Sequence, residues 1–251
     1  MYYLTMIIDR ILPKQCIKCG GFGEYVCQAC ARKFLDVRRA QQCHVCKKLI
    51  STNSAEVGLI KSFTHEECKP VTSLDGVLVC LNYTKLAERI IAEIKYGHYT
   101  DIANYVVPYY FDKLKLLEGL NKQILLVPVP LFKKKKRARG FNQAELFAEK
   151  LLKLNLKSNS DLGTELMYAN LLRRVKNTKT QVGLTREERL INLNEAFEIE
   201  PKLVEKKNYF QEKIVVLIDD VMTTGTTLEE CSAVLKANGA GSVYAIVFTR
   251  G

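Results

Sequence analysis

Residues 215–227 read VVLIDDVMTTGTT, a run of four apolar residues, two adjacent aspartates and a turn rich in hydroxyls. The apolar run, which begins at Ile214, predicts a buried strand, and it delivers Asp219 and Asp220 to the strand's C-terminal edge, where ligands gather in open α/β sheets. Thr223, Thr224, Gly225, Thr226 and Thr227 then form a small turn at the start of a helix. Backbone amides, threonine hydroxyls and the positive end of the helix dipole make such a turn a cradle for phosphate. Gly225 lets the backbone turn and approach closely. Two carboxylates that accept hydrogen bonds from vicinal hydroxyls, beside a phosphate cradle, fit a ribose 5-phosphate. A threonine-rich helix cap is the bland alternative, and thirteen residues in the right order on strand, turn and helix weigh against it. No Gly-x-x-x-x-Gly-Lys-Ser/Thr loop occurs, which disfavours a nucleotide triphosphatase.

Outward from this stretch, apolar runs alternate with helical patterns. Val77, Val79 and Leu81 alternate as in a strand, and Leu86, Ile90, Ile91 and Ile94 share one face of a helix ending near Gly97. Residues 124–130, ILLVPVP, predict a second buried strand stopped by proline. A basic loop follows, and then Asn142 with Glu145 three residues on reads as a capping box for a helix that turns Phe147, Leu151 and Leu154 inward. Residues 175–195 are polar; Thr226 to Asn238 reads as a helix closed by Gly239, and Val243 to Phe248 as a last strand. The expected fold class is α/β, a parallel sheet flanked by helices.

Residues 14–70 have poor periodicity and hold most of the nine cysteines. Cys16 and Cys19, Cys27 and Cys30, and Cys43 and Cys46 are Cys-x-x-Cys pairs, and His65-x-x-Cys68 completes a fourth. Such two-residue spacings turn thiolates and nearby amides toward one tetrahedral zinc, and two pairs make one site. Sequential pairing is simplest, with Cys16, Cys19, Cys27 and Cys30 around one ion and Cys43, Cys46, His65 and Cys68 around another. An interleaved pairing, a single zinc and a redox role are the alternatives. The second tetrad is the weaker, because 18 residues separate Cys46 from His65. Cys80 and Cys231 sit in apolar runs and read as core. In so short a segment metal must supply much of the folding free energy. The expected organisation is a zinc-binding domain over residues 1–74 and an α/β domain over 75–251.

The formal net charge is +11, which makes polyanions plausible partners. No run of eighteen apolar residues predicts membrane insertion, and Asp9 and Arg10 interrupt the apolar N-terminus, so no signal peptide is expected and the chain is read as cytoplasmic.

The aspartate and threonine stretch resembles the phosphoribosyl-diphosphate (PRPP) motif of type I phosphoribosyltransferases. The wider order of motifs is similar to the ComF/ComFC family, competence-associated proteins with an N-terminal double zinc ribbon. The matching pieces are the cysteine pairs, Lys95-Tyr96-Gly97, LLVPVP, Arg139-Gly140-Phe141-Asn142-Gln143, and Thr180-Gln181 followed by Leu184, Arg186, Arg189, Asn192 and Ala196-Phe197. Histidine at position 65 departs from the more usual cysteine.

The resemblance implies that Asp219, Asp220, Thr223, Thr224, Gly225, Thr226 and Thr227 bind PRPP with Mg²⁺. It makes the segment after Pro130 a diphosphate loop, in which Arg137 and Arg139 are favoured as anion contacts, and residues 175–195 a closing loop with Lys179, Arg186 and Arg189 as candidate catalytic groups. It implies single-stranded DNA as a partner during uptake, with Tyr96, Tyr99 and Phe141 as candidate base contacts, and other competence proteins as further partners. The alternative is an active transferase moving phosphoribosyl from PRPP to a nitrogen acceptor. No acceptor pocket and no general base can be picked out of the sequence.

Overall fold

The computed structural model describes residues 13–50, 62–97, 99–120, 122–157, 162–176, 196–200 and 209–251. Strands β1 (Gly76–Asn82), β2 (Gln123–Pro128), β3 (Leu166–Tyr168), β6 (Lys213–Met222) and β7 (Ser242–Arg250) form one sheet in the order β1-β7-β6-β2-β3. Every pairing in it is parallel. A second pair, β4 (Leu172–Arg174) and β5 (Phe197–Ile199), is antiparallel. The helices are α1 (Gln28–Phe34), α2 (Lys85–Tyr96), α3 (Ile102–Leu114), α4 (Lys133–Arg139), α5 (Gln143–Lys157) and α6 (Thr226–Ala237).

The sheet buries both faces. Ile124, Leu126, Val216, Ile218 and Ile246 lie in one core cluster with Ile90, Val106, Phe147 and Leu151 of α2, α3 and α5, and Leu125, Val127, Val215, Leu217 and Val247 lie in the other with Leu228, Cys231 and Leu235 of α6. Parallel strands covered on both sides read as continuous apolar runs. Strand β1 forms as the alternation of Val77, Val79 and Leu81 predicts, with Gly76 to Leu81 all buried, whereas the short strands β3, β4 and β5 go beyond the elements expected from the sequence. Helix α3 goes beyond the elements expected from the sequence as well. Its buried positions 102, 103, 106, 107, 110 and 114 recur at helical spacing and carry it past Pro108.

Two further differences concern the segment after Pro130. The basic stretch is the helix α4, ended by Gly140 at φ +86°, and not a loop. Asn142 does cap α5, its Oδ1 accepting the Ala144 amide at 3.1 Å, but Glu145 turns away from the cap to pair with Lys136 at 2.7 Å. Four lysines and two arginines with no acid among them repel one another, and Glu145 is the carboxylate that neutralises part of that charge.

The cysteine-bearing segment covers the free edge of β1. Arg38 N–H donates to the Cys80 carbonyl (2.9 Å), Asn82 N–H to the Asp36 carbonyl (2.8 Å), and the Val79 amide to Oε1 of buried Gln41 (2.9 Å), so the edge presents few unpaired groups. At the far end the Glu229 carboxylate of α6 accepts the Thr72 hydroxyl at 2.7 Å and the Ser73 hydroxyl at 2.8 Å. Phe63 is fully buried and bridges to Gly76, and a Cβ on residue 76 would collide with the Phe63 side chain. Gly76→Ala is therefore expected to lower stability by about 1–3 kcal/mol, the usual cost of overpacking, read as a lower denaturant midpoint; an unchanged midpoint would show that Phe63 can move aside.

Candidate functional site

Two tetrads form within the cysteine-bearing segment, and they follow the sequential pairing. The ligand atoms of Cys16, Cys19, Cys27 and Cys30, and separately of Cys43, Cys46, His65 and Cys68, lie within 4.8 Å of one another. Each begins as a small hairpin, bridged at Gln15–Phe22 and at Gln42–Leu49, and each continues into a short helix, α1 carrying Cys30 and a 3₁₀ turn, Glu66–Val71, carrying Cys68. The left-handed residue four positions after the first cysteine is Gly20 (φ +76°) in one and Lys47 (φ +66°) in the other.

The donor set fits zinc. Tetrahedral Zn–S bonds of about 2.3 Å require sulfurs roughly 3.8 Å apart, and Cys19 Sγ is 3.9 Å from Cys27 Sγ. His65 presents Nδ1, 3.2 Å from Cys46 Sγ. Burial pushes the Cys16 and Cys43 thiols up, but amide N–H groups aimed at each sulfur outweigh it and bring both down to about 6. Cys30 and Cys68 go the other way, pushed up to about 12 and about 11 by burial and then by the neighbouring thiols of their own tetrads, so without a cation each tetrad favours only part of the thiolate charge that a metal ligand set carries. Cys80 and Cys231 are fully buried core residues.

The second site is the C-terminal edge of the sheet. Strand β6 runs on through the acidic pair to Met222, so Asp219 and Asp220 lie within the strand and their side chains leave it in different directions. Half-buried Asp219 lines a small cavity with Val221 to Leu228, which includes Thr223, Thr224, Gly225, Thr226 and Thr227. Gly225 has φ +86° directly before α6, and the Thr224 and Thr226 hydroxyls are 2.9 Å apart across the turn. The cradle and one carboxylate are thus assembled side by side.

Asp220 is elsewhere. It is 4% exposed, ion-paired with Lys95 at the end of α2, and its Oδ1 accepts Gln143 Nε2 at 3.4 Å. Burial alone would raise its carboxyl, but the Lys95 ammonium outweighs this and holds it below the usual range. Asp219 goes the other way, raised well above the carboxylate range by burial and by the neighbouring Asp220 charge. The buried Tyr110 hydroxyl donates to the Asp219 carbonyl at 2.6 Å and fixes the strand end from α3.

Cations surround this pair. Arg139 places its guanidinium 5.4 Å from the Tyr96 ring centre and donates to Gln143 Oε1. Lys135 is depressed by burial and then by the neighbouring charges of Arg174, Arg139 and Lys95. Arg137 is exposed on α4. Lys179, Arg186 and Arg189 lie outside the described residues, although β4 and β5 mark where the chain enters and leaves that stretch. No role for Lys95, Gln143, Arg174 or Tyr110 is expected from the sequence, and Lys135 is expected only as one of the basic residues after Pro130. Lys95 belongs to Lys95-Tyr96-Gly97 and Gln143 to Arg139-Gly140-Phe141-Asn142-Gln143, and folding makes both converge on Asp220.

The electrostatics make a stability prediction. A carboxyl raised in the folded state contributes stability that is present below its unfolded value, about 3.9, and is lost as pH rises toward the folded value. Asp219→Asn keeps an acceptor for the Asp220 amide and removes the charge. It is expected to melt above the wild type at pH 7 with the difference vanishing below about pH 4; a lower melting temperature at pH 7 would contradict the assignment.

A model of the phosphoribosyl transferase domain matches residues 143–251. Competence protein F of Haemophilus influenzae is 37% identical over 131 residues, 52% of this chain and 49% of the relative, so the match spans about half of that protein's length. The DNA utilization protein YhgH of Escherichia coli is 28% identical over 218 residues, 80% of this chain and 86% of the relative. Competence protein ComFC of Bacillus subtilis is 33% identical over 131 residues, 52% of this chain and 46% of the relative. A hypoxanthine phosphoribosyltransferase of Staphylococcus aureus overlaps 60% of this chain and 64% of its own at 15% identity and a TM-score of 0.34, an overlap too loose to carry an argument. The chain is thus similar to two named competence proteins over about half its length and to a DNA utilization protein over most of it, and it carries a region that matches the phosphoribosyl transferase domain.

Proposed function

We propose that the chain binds PRPP with Mg²⁺ at the C-terminal edge of its sheet and handles single-stranded DNA during competence-related uptake. The observation that carries this reading is the half-buried Asp219 carboxyl lining one cavity with the threonine turn at the N-terminus of α6, a carboxylate for ribose hydroxyls beside a cradle for the 5-phosphate. The Asp219–Asp220 pair and Thr223 to Thr227 form the phosphoribosyl site. Arg139, and more peripherally Arg137, meet the diphosphate.

Magnesium keeps water and substrate phosphates as ligands, so it would arrive with PRPP and neutralise the diphosphate charge. Residues 1–74 act as a zinc-binding unit with one ion per tetrad and residues 75–251 as the phosphoribosyl domain. DNA is proposed to run over the exposed Lys133, Lys134, Lys136 and Arg137, with Tyr96 and Tyr99, 72% and 48% exposed, as stacking platforms. Other competence proteins are its partners in the cytoplasm. Among the described residues, no helix is long and apolar enough to cross a membrane.

A second reading is favoured by the matched transferase domain. A nitrogen nucleophile would attack C1 of PRPP, the C1–O bond to diphosphate would break, and diphosphate would leave with its charge met by the cations around Arg139.

Calorimetric titration of PRPP with Mg²⁺ is expected to show binding by the wild type and none by Asp219→Asn/Asp220→Asn. Diphosphate assayed with and without single-stranded DNA separates the readings: binding without release favours the DNA-handling role, release with an acceptor the transferase, and no wild-type binding sinks both. Elemental analysis is expected to find two zinc ions per chain, one for each tetrad, and one after Cys43→Ser/Cys46→Ser; a single ion in the wild type would leave one tetrad without metal.

A further inference from the structure

Three separated motifs close into a ring around one carboxylate. Lys95 and Tyr96 are neighbours at the end of α2; Tyr96 lies under the Arg139 guanidinium; Arg139 donates to Gln143 Oε1; Gln143 Nε2 donates to Asp220 Oδ1; and Asp220 Oδ2 pairs with Lys95. Oδ1 of Asp220 thus accepts one hydrogen bond, Oδ2 is held by the Lys95 ion pair with no hydrogen bond of its own, and the side chain is 5% exposed. Asp219, one residue earlier, lines the threonine cavity instead.

On the phosphoribosyl reading above, we infer that the two carboxylates divide the site: Asp219 alone takes the ribose contact, and Asp220 is the buried counter-ion that positions Lys95 and, through Gln143, Arg139. Turning Asp220 toward a ribose would break a buried ion pair and leave Lys95 uncompensated, a strongly unfavourable exchange. Asp219 needs no such exchange. The same contacts hold Arg139, the last residue of α4, beside Gln143 and the Tyr96 ring. Lys95 is thus a positioning residue, acting on the site through Asp220.

The test titrates PRPP with Mg²⁺ into the full chain carrying Asp219→Asn, Asp220→Asn, Lys95→Met, Lys95→Arg or Lys95→Met/Asp220→Asn. Asp219→Asn is expected to weaken binding roughly 10- to 100-fold, the loss of a hydrogen bond to a charged group, and several-fold more than Asp220→Asn does. Lys95→Met weakens binding, and Lys95→Arg recovers most of it. The double variant binds no worse than Lys95→Met, because once the pair is broken its second member has nothing left to position. Equal losses from Asp219→Asn and Asp220→Asn, or losses from Lys95→Met and Asp220→Asn that multiply in the double variant, would overturn the division of roles while leaving the phosphoribosyl reading intact. A wild type that fails to bind removes that reading, and this inference with it.

Discussion

A central strand buried on both faces has one place to put charge, and that is its end. Ile214 to Ile218 of β6 are at most 1% exposed between β7 and β2, with helices above and below. An ionised group anywhere along that run would lose its hydration without gaining a partner. The carboxylates therefore come only at positions 219 and 220, where the strand emerges and the amides of α6 begin. Carboxylates and exposed amides at one strand end are complementary to a ligand with hydroxyls and a phosphate. The site is thus a consequence of how the sheet is covered.

The same edge explains the balance of charge. Two aspartates in contact would repel, and the fold answers by burying one against Lys95 and leaving the other beside the cradle. Lys135, Arg139 and Arg174 then outnumber the remaining carboxylate, so the edge as a whole is poised for an anion. Tyr110 reaches the Asp219 carbonyl from α3, so the geometry of the pair is held by packing as well as by charge.

The cysteine-bearing segment answers a different problem. An all-parallel sheet leaves unpaired amides and carbonyls along β1, and residues 36–41 satisfy part of that edge with backbone and Gln41 contacts. A segment with so little core of its own cannot hold that position by apolar burial alone. Two knuckles gather four ligand atoms each, where a bound metal ion would supply the missing rigidity, and Glu229 ties the segment back to α6 through Thr72 and Ser73.

Patterns set by nearest neighbours were legible in the sequence: buried strands as apolar runs, ligand pairs as Cys-x-x-Cys, and the order of strand, adjacent carboxylates, threonine turn and helix. These follow from local chemistry, because strand burial, knuckle turns and helix N-termini each span a few residues. Sequence left three things open that folding decided. Glu145 abandoned its capping box for Lys136, since relief of charge on α4 outweighed one amide contact. The order of the cysteine pairs was settled by the path of the chain between hairpins. The inequality of Asp219 and Asp220 was invisible, because it depends on Lys95 and Gln143, residues 125 and 77 positions away, and a partner at that separation is chosen only when α2, α5 and β6 pack against one another.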